Sequence, residues 1–349
     1  MNDKKIKLFA FPLKLKTPNA YWDNLYGEIL LDKRIEAYSN NFKALLFSFH
    51  KPQIIHIHWQ NVLYSSCFKW LIPLKFLSRV MILLLAKVRG DNIVWTMHNY
   101  HDHESNNEFI DGLAIKFLVK IADTVIVHTP AGVEHLKQQY HRNRGVEIVP
   151  MGHYINFYGQ RLERADEELM KEFNFGSDDI VFLSLGSIRP YKGLEEIIDI
   201  FNELPDNFKL IIAGRPFYQE HFSGLQQRAK KNNIIFYGRL VANSDIPKFF
   251  SLADFSLFNF QKVLSSASLI LSLSYGVPVI GPMIGDLKYV IVNNINGFSF
   301  ENIFQLKDLI LSVSKINDEE WKKISMNCIA GVRQSDYSFL ANKTLNIYF

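Results

Sequence analysis

Two cations and a glycine close a turn between an apolar strand and an amphipathic helix. The segment IVFLSLGSIRPYKG, residues 180–193, runs directly into LEEIIDIFNEL. At such a junction the first N–H groups of the helix lack intrahelical partners and the helix dipole presents its positive end. Arg189 offers a planar fork to phosphate oxygens, and Lys192 adds a second positive charge beside Gly193. The set suits a pyrophosphate; an ordinary basic loop is the alternative. A second junction lies at residues 255–282, FSLFNFQKVLSSASLILSLSYGVPVIGP. There Ser265, Ser266 and Ser268 stand before a helix, where hydroxyls and free N–H groups can hold another face of the same diphosphate or simply cap the helix.

Histidine is concentrated early. Ten of the eleven lie before residue 154. His56 and His58 alternate on one strand face, and Trp59, Gln60 and Asn61 follow. His98 and Asn99 end the strand VWTMHN, and His101, Asp102, His103 and Glu104 form the loop after it. A base for an acceptor hydroxyl must be His, Asp or Glu within hydrogen-bond reach. His103 and Glu104 lead that set, with Asp102 and His98 beside them. Because His-x-His occurs twice, a metal site is the rival reading, although no cysteine assists it. His128 and His153 read as structural, with His153 near an interdomain hinge.

The elements that must position these residues alternate strand and helix throughout. KIKLFAF, IIHIHW, NIVWTMH, TVIVHT and VEIVP are short apolar runs of the kind covered on both faces, separated by helical patterns. A polar stretch follows, and IVFLSLG, FKLIIAG, NIIFYG, FSLFNF and PVIGP repeat the scheme. The pattern predicts an α/β fold of two Rossmann-like doubly wound domains facing across a cleft. The expected boundaries are 1–155 for the first domain, 156–176 for a linker and 177–335 for the second. Residues 336–349 are expected to return to the first domain. The loop after the first strand, PLKLKTPNAYWDNLYGEIL, carries Asn19, Tyr21 and Trp22, which suit a saccharide or simply begin a helix.

With 349 residues and 48% hydrophobic content, two domains can each hold a core. Cys67 and Cys328 form no metal pattern and fit a reducing compartment. The basic N-terminus lacks a signal-peptide core. Residues 1–150 carry 19 Lys/Arg against 13 Asp/Glu, a balance of +6 in a chain whose total is +4. That excess invites an anionic partner, yet no nucleic-acid-binding motif is present. CFKWLIPLKFLSRVMILLLAKVR, residues 67–89, interleaves five cations with apolar residues. It is too charged to span a bilayer. It reads either as a pair of buried helices or as a segment lying at an anionic membrane surface.

Taken in order, Gly-x-x-Arg-Pro-x-Lys-Gly, IIAGRP, Tyr-Gly-Val-Pro-Val-Ile and IGDLKYVIVNNINGF make the C-terminal half resemble the donor-binding domain of GT-B glycosyltransferases of the family 4 group. IIHIHW, VWTMHN, His103-Glu104, DTVIVHT and VPMGHY resemble its bacterial exopolysaccharide and O-antigen branch. The resemblance implies a GT-B enzyme that moves a sugar from a nucleotide diphosphate donor, a GDP- or UDP-sugar, to a saccharide acceptor. It places the donor on the second domain, at Gly186, Ser187, Arg189, Lys192, Gly214, Arg215, Ser265, Ser266 and Ser268. It places the acceptor, free or linked to polyprenyl diphosphate, on the first domain. Arg189 and Lys192 would neutralise the leaving diphosphate without a metal or other cofactor, and no Asp-x-Asp metal motif occurs. Two departures stand out. Ser187 occupies the place of the group's usual Arg, and Val263 and Leu271 replace its paired glutamates, one of which normally holds the ribose. The expected setting is the cytoplasm, peripheral at the inner face of the membrane, in surface-polysaccharide assembly. A sugar-nucleotide epimerase on the same fold, or a non-catalytic partner of an assembly complex, are the alternatives.

Overall fold

Apolar runs with no polar face need cover on both sides, and here they become the strands of parallel sheets flanked by helices. The structure is a computed structural model describing residues 5–12, 19–39, 41–49, 53–100, 107–162 and 167–349. Two compact units emerge, Met1–Gly152 with Ser335–Phe349, and His153–Gln334.

The first unit runs β1 (Ile6–Phe11), α1 (Ala20–Ile29), β2 (Ile35–Ser39), α2 (Phe42–Leu46), β3 (Gln53–Ile57), α3 (Ile72–Arg89), β4 (Asn92–Thr96), α4 (Glu108–Ile121), β5 (Thr124–Val127), α5 (Pro130–Tyr140) and β6 (Val146–Ile148). The second runs α6 (Glu167–Glu172), β7 (Ile180–Leu185), α7 (Leu194–Glu203), β8 (Phe208–Ala213), α8 (Gln219–Arg228), β9 (Ile234–Tyr237), α9 (Ile246–Leu252), β10 (Phe255–Leu257), α10 (Ala267–Ser274), β11 (Val279–Pro282), α11 (Leu287–Val290), β12 (Gly297–Phe300), α12 (Leu306–Val313) and α13 (Asp318–Arg333). The last helix, α14 (Tyr337–Tyr348), belongs to the first unit.

Each sheet has six parallel strands. Their orders are β2-β1-β3-β4-β5-β6 and β12-β11-β10-β7-β8-β9. The order reverses between β1 and β3 in the first sheet and between β7 and β10 in the second. In open parallel sheets the chains leaving such a point diverge to opposite faces, and the crevice at the strand C-termini is where ligands bind.

Helix placement follows from spacing. In α7, Leu194, Ile197, Ile198 and Phe201 recur at helical intervals and are buried against the sheet, while Glu195 and Glu196 sit in the first turn. Side-chain oxygens of Asn19, Asn107 and Asp336 accept backbone N–H groups at the starts of α1, α4 and α14. The helix α14 buries Leu340, Ala341, Leu345 and Tyr348 in one cluster with Trp22, Leu25, Tyr26 and Ile29 of α1.

The structure departs from the sequence-based reading at three places. β2 and β12, IEAYS and GFSF, are strands that the pattern does not reveal. Both are edge strands with a single neighbour, so neither needs an unbroken apolar run. Residues 67–89 do not form two buried helices. A 3-10 turn at Lys69–Leu71 leads into the single helix α3, of which only Leu83 and Ala86 are buried. Tyr21 and Trp22 do not present themselves to a saccharide: both are buried in the core, and Asn19 caps α1.

Candidate functional site

In the second unit, the loops leaving β7, β8 and β10 meet at the reversal point. Gly214 follows β8 with φ 152°, and a Cβ there would lie 2.1 Å from the Gly186 carbonyl oxygen. Only a residue without a side chain lets the ends of β7 and β8 approach this closely. The loop is then pinned to its neighbour. Ile188 N donates to Arg215 O at 3.0 Å, and Ser187 Oγ donates to the same oxygen at 3.3 Å.

Arg189 donates from Nε to Ser187 Oγ at 3.3 Å, and its guanidinium lies 4.2 Å from the centre of the Phe217 ring. The stacking and hydrogen bond hold the fork in one orientation. Lys192 is only 6% exposed and donates from Nζ to Leu185 O at 3.4 Å. A Cβ placed on Gly186 would lie 3.0 Å from both Lys192 Nζ and Ser268 Oγ, so the ammonium and the hydroxyl converge there from two loops. Burial, reinforced by the positive charge of Arg189, pulls the Lys192 pKa down from 10.5 to about 8.

Gly193, φ 58°, ends the turn and begins α7 without a side-chain cap. Its Cα rests on Asn259, whose Nδ2 donates to Gly193 O at 2.9 Å, and a Cβ would strike the Asn259 carbonyl at 2.5 Å. Asn259 is the residue that sequence reasoning missed. Its position two residues past the end of β10, at the reversal point, was the available signal. Ser266 caps α10, accepting from Leu269 N at 3.3 Å, while Ser265 and Ser268 are half-buried beside it. The side chain of Arg215 is exposed. The structure therefore gathers Gly186, Ser187, Arg189, Lys192, Gly214, Ser268 and the start of α7 into one place. It gives Ser266 a capping role and Arg215 a backbone role. A cavity of about 410 Å³ lined by Arg161, Asp254 and Trp321 sits at the other end of this sheet, at the starts of β7 and β10, away from these loops.

In the first unit, His56, His58, His98 and His128 form a buried hydrogen-bonded chain. His128 Nδ1 lies 2.9 Å from Val149 O, and His128 Nε2 lies 3.0 Å from His98 Nδ1. His98 Nε2 is 3.3 Å from His58 Nδ1, and His58 Nε2 is 2.9 Å from the Tyr26 hydroxyl. The carbonyl can only accept. With neutral rings, every donor then follows: Tyr26 to His58, His58 to His98, His98 to His128, His128 to Val149. His56 continues the cluster through Thr96 Oγ1 at 2.8 Å and the Tyr348 hydroxyl at 2.6 Å. Burial lowers the pKa of all four rings, that of His56 from 6.5 to about 3, and keeps them neutral.

This geometry bears on the predicted base. Both ring nitrogens of His98 are engaged, and its ring stacks on Trp59 at 5.0 Å, so accepting a proton requires one of its bonds to break. His128 shares the cluster, and His153 accepts from Ile155 N at 3.3 Å in the second unit. His101, Asp102, His103 and Glu104 lie outside the described residues. Among the described residues no group of three or more His, Cys, Asp and Glu side chains is placed to hold a metal ion.

Comparison with known proteins bears on the family and the fold. Residues 165–334 match the family described as Glycosyl transferases group 1. The chain is 22% identical over 287 residues to a GDP-mannose:glycolipid 4-beta-D-mannosyltransferase of Xanthomonas campestris pv. campestris, covering 79% of this chain and 73% of that one. The structure of Anabaena Alr3699/HepE in complex with UDP superposes with a TM-score of 0.73 at 15% identity, over 98% of both chains. Sucrose-phosphate synthase from Thermosynechococcus elongatus follows with 0.68 at 16%, over 88% of this chain and 75% of that one. At these identities the structural matches establish the two-domain α/β fold.

Proposed function

We propose that this chain, with its group 1 glycosyl transferase domain at residues 165–334, moves a sugar from a nucleotide diphosphate donor to a lipid-linked saccharide, in the assembly of a bacterial surface polysaccharide. The observation that carries the reading is the meeting of Arg189, the buried Lys192 and the uncapped start of α7 at the strand-order reversal. A diphosphate leaving group develops negative charge as the glycosidic bond breaks, and preorganised donors aimed at that charge lower the barrier. Gly186, Ser187, Gly214 and Ser268 shape the cradle, and Ser265, Ser266 and Arg215 border it. These groups take the role that a divalent ion plays elsewhere, so the proposed reaction uses no metal. The acceptor binds the first unit, where the base comes from Asp102, His103 and Glu104, while His98 belongs to the fixed histidine chain. The reaction runs at the cytoplasmic membrane surface.

The relative named for GDP-mannose and a glycolipid makes GDP-mannose the first donor to test, with UDP-sugars next. Thermal-shift measurements with GDP, UDP and ADP and their sugars test the assignment directly. One nucleotide series should stabilise the wild type and not Arg189→Ala. Absence of any shift favours a non-catalytic partner instead. Loss of roughly 10²-fold in turnover is expected for Arg189→Ala, and near-normal turnover would remove the diphosphate assignment.

A further inference from the structure

We infer that α3, with the turn before it and α2 beside it, is the surface by which the first unit docks on an anionic lipid bilayer. This deepens, and rests on, the proposed reaction with a lipid-linked acceptor.

The helix has two apolar faces where a soluble protein needs one. Leu83 and Ala86 face the core, yet Leu74, Leu77, Met81, Leu84, Leu85 and Val88 form an exposed stripe at helical intervals along its whole length. No charged side chain interrupts that stripe. It begins at Trp70, 75% exposed, and ends at Val88, 86% exposed. Arg89 donates to Leu45 O and Leu46 O of α2, which sets Phe47 and Phe49, 73% and 80% exposed, beside that end of the stripe. Eighteen residues at about 1.5 Å each make a ridge about 27 Å long. No described helix is long and apolar enough to cross a membrane. A helix like this lies flat, with its apolar residues among acyl chains and its indole at the headgroups.

Charge selects the partner. Residues 37–90 contain no aspartate or glutamate and hold Lys43, Lys51, Lys69, Lys75, Arg79, Lys87 and Arg89. Lys87 and Arg89 are neutralised by Asp123 and Asp91. Lys75 donates to Ser65 O and Arg79 to Val62 O, with the Arg79 guanidinium also over the Phe42 ring, and among the described residues no salt bridge to a carboxylate neutralises either cation. Lys43 and Lys69 are exposed. An apolar ridge bordered by cations without anions complements phosphate headgroups above acyl chains. A second copy of this chain would bring the same positive border against itself.

The test uses the whole chain and vesicles of phosphatidylglycerol and phosphatidylcholine. Wild type should sediment with mixed vesicles and much less with phosphatidylcholine alone. The double variant Leu77→Glu/Met81→Glu should bind about tenfold more weakly or worse. Phe304→Glu, a change at a still more exposed position in the second unit, should bind as wild type does. Equal binding by the double variant, no vesicle binding by wild type, or a dimer that the double variant dissolves without vesicle binding would each overturn the inference. Nucleotide thermal shifts on the same samples keep the two readings apart. Stabilisation without vesicle binding removes only the docking surface, and vesicle binding without stabilisation removes only the transfer reaction.

Discussion

At the scale of single residues, Lys192 meets two opposed demands. Folding buries an ammonium whose pKa falls to about 8, and the proposed donor needs that ammonium charged. Because the folded pKa lies below the unfolded one, the unfolded chain binds more protons between pH 8 and 10.5. Stability therefore rises with pH across that window, and the charged lysine costs about 3 kcal/mol below it. Lys192→Met should raise the melting temperature at pH 7, with the gain shrinking towards pH 10.5, while reducing turnover roughly 10²-fold. Wild-type affinity for the nucleoside diphosphate should fall as pH rises through about 8, and isothermal titration across that range checks it. A variant that melts lower at pH 7 would contradict the burial argument. Arg189 and Lys192 were readable in the sequence because one strand–turn–helix segment holds both. Asn259 was not, since it meets Gly193 only through the parallel pairing of β10 with β7.

At the scale of elements, the ends of β3, β4 and β5 and the helices α1 and α14 share one hydrogen-bonded set: His56, His58, His98, His128, Tyr26, Thr96 and Tyr348. The strands themselves follow from their apolar runs. The tautomer order does not, because a single carbonyl, Val149 O, sets it from outside the histidine strands. A proton added to any ring of the chain turns an acceptor into a donor facing another donor. The folded pKa values lie below 6.5, so the stabilisation is complete above that pH and is lost as pH falls from 6.5 towards the folded values, about 3 for His56. Thermal unfolding followed by tryptophan fluorescence reports mainly the first unit, through Trp22, Trp59, Trp70 and Trp95. Its midpoint should drop steadily between pH 6.5 and 4, more shallowly in His128→Phe. A flat profile for wild type would mean that the rings do not titrate with unfolding.

At the scale of the whole molecule, the alternation of strands and helices in two series is what made the α/β architecture readable, since covered parallel strands need unbroken apolar runs. The edge strands β2 and β12 escaped, and residues 67–89 stayed open between buried and surface-lying readings, for the same reason: an apolar or polar residue type does not state what lies beside it. The chain passes from the first unit to the second near residue 152 and returns near residue 334. Removing residues 337–349 should destabilise the first unit, through loss of Tyr348 and the α1 packing, and leave the nucleotide-dependent shift of the second unit in place. Differential scanning calorimetry with and without nucleotide resolves the two effects. That return of the chain also sets a timetable. During synthesis β1 to β6 leave the ribosome first, yet His56 waits for Tyr348, almost three hundred residues later. The second unit, contiguous in sequence, is able to finish folding while the first is still open at α1, so the first part made is the last to close.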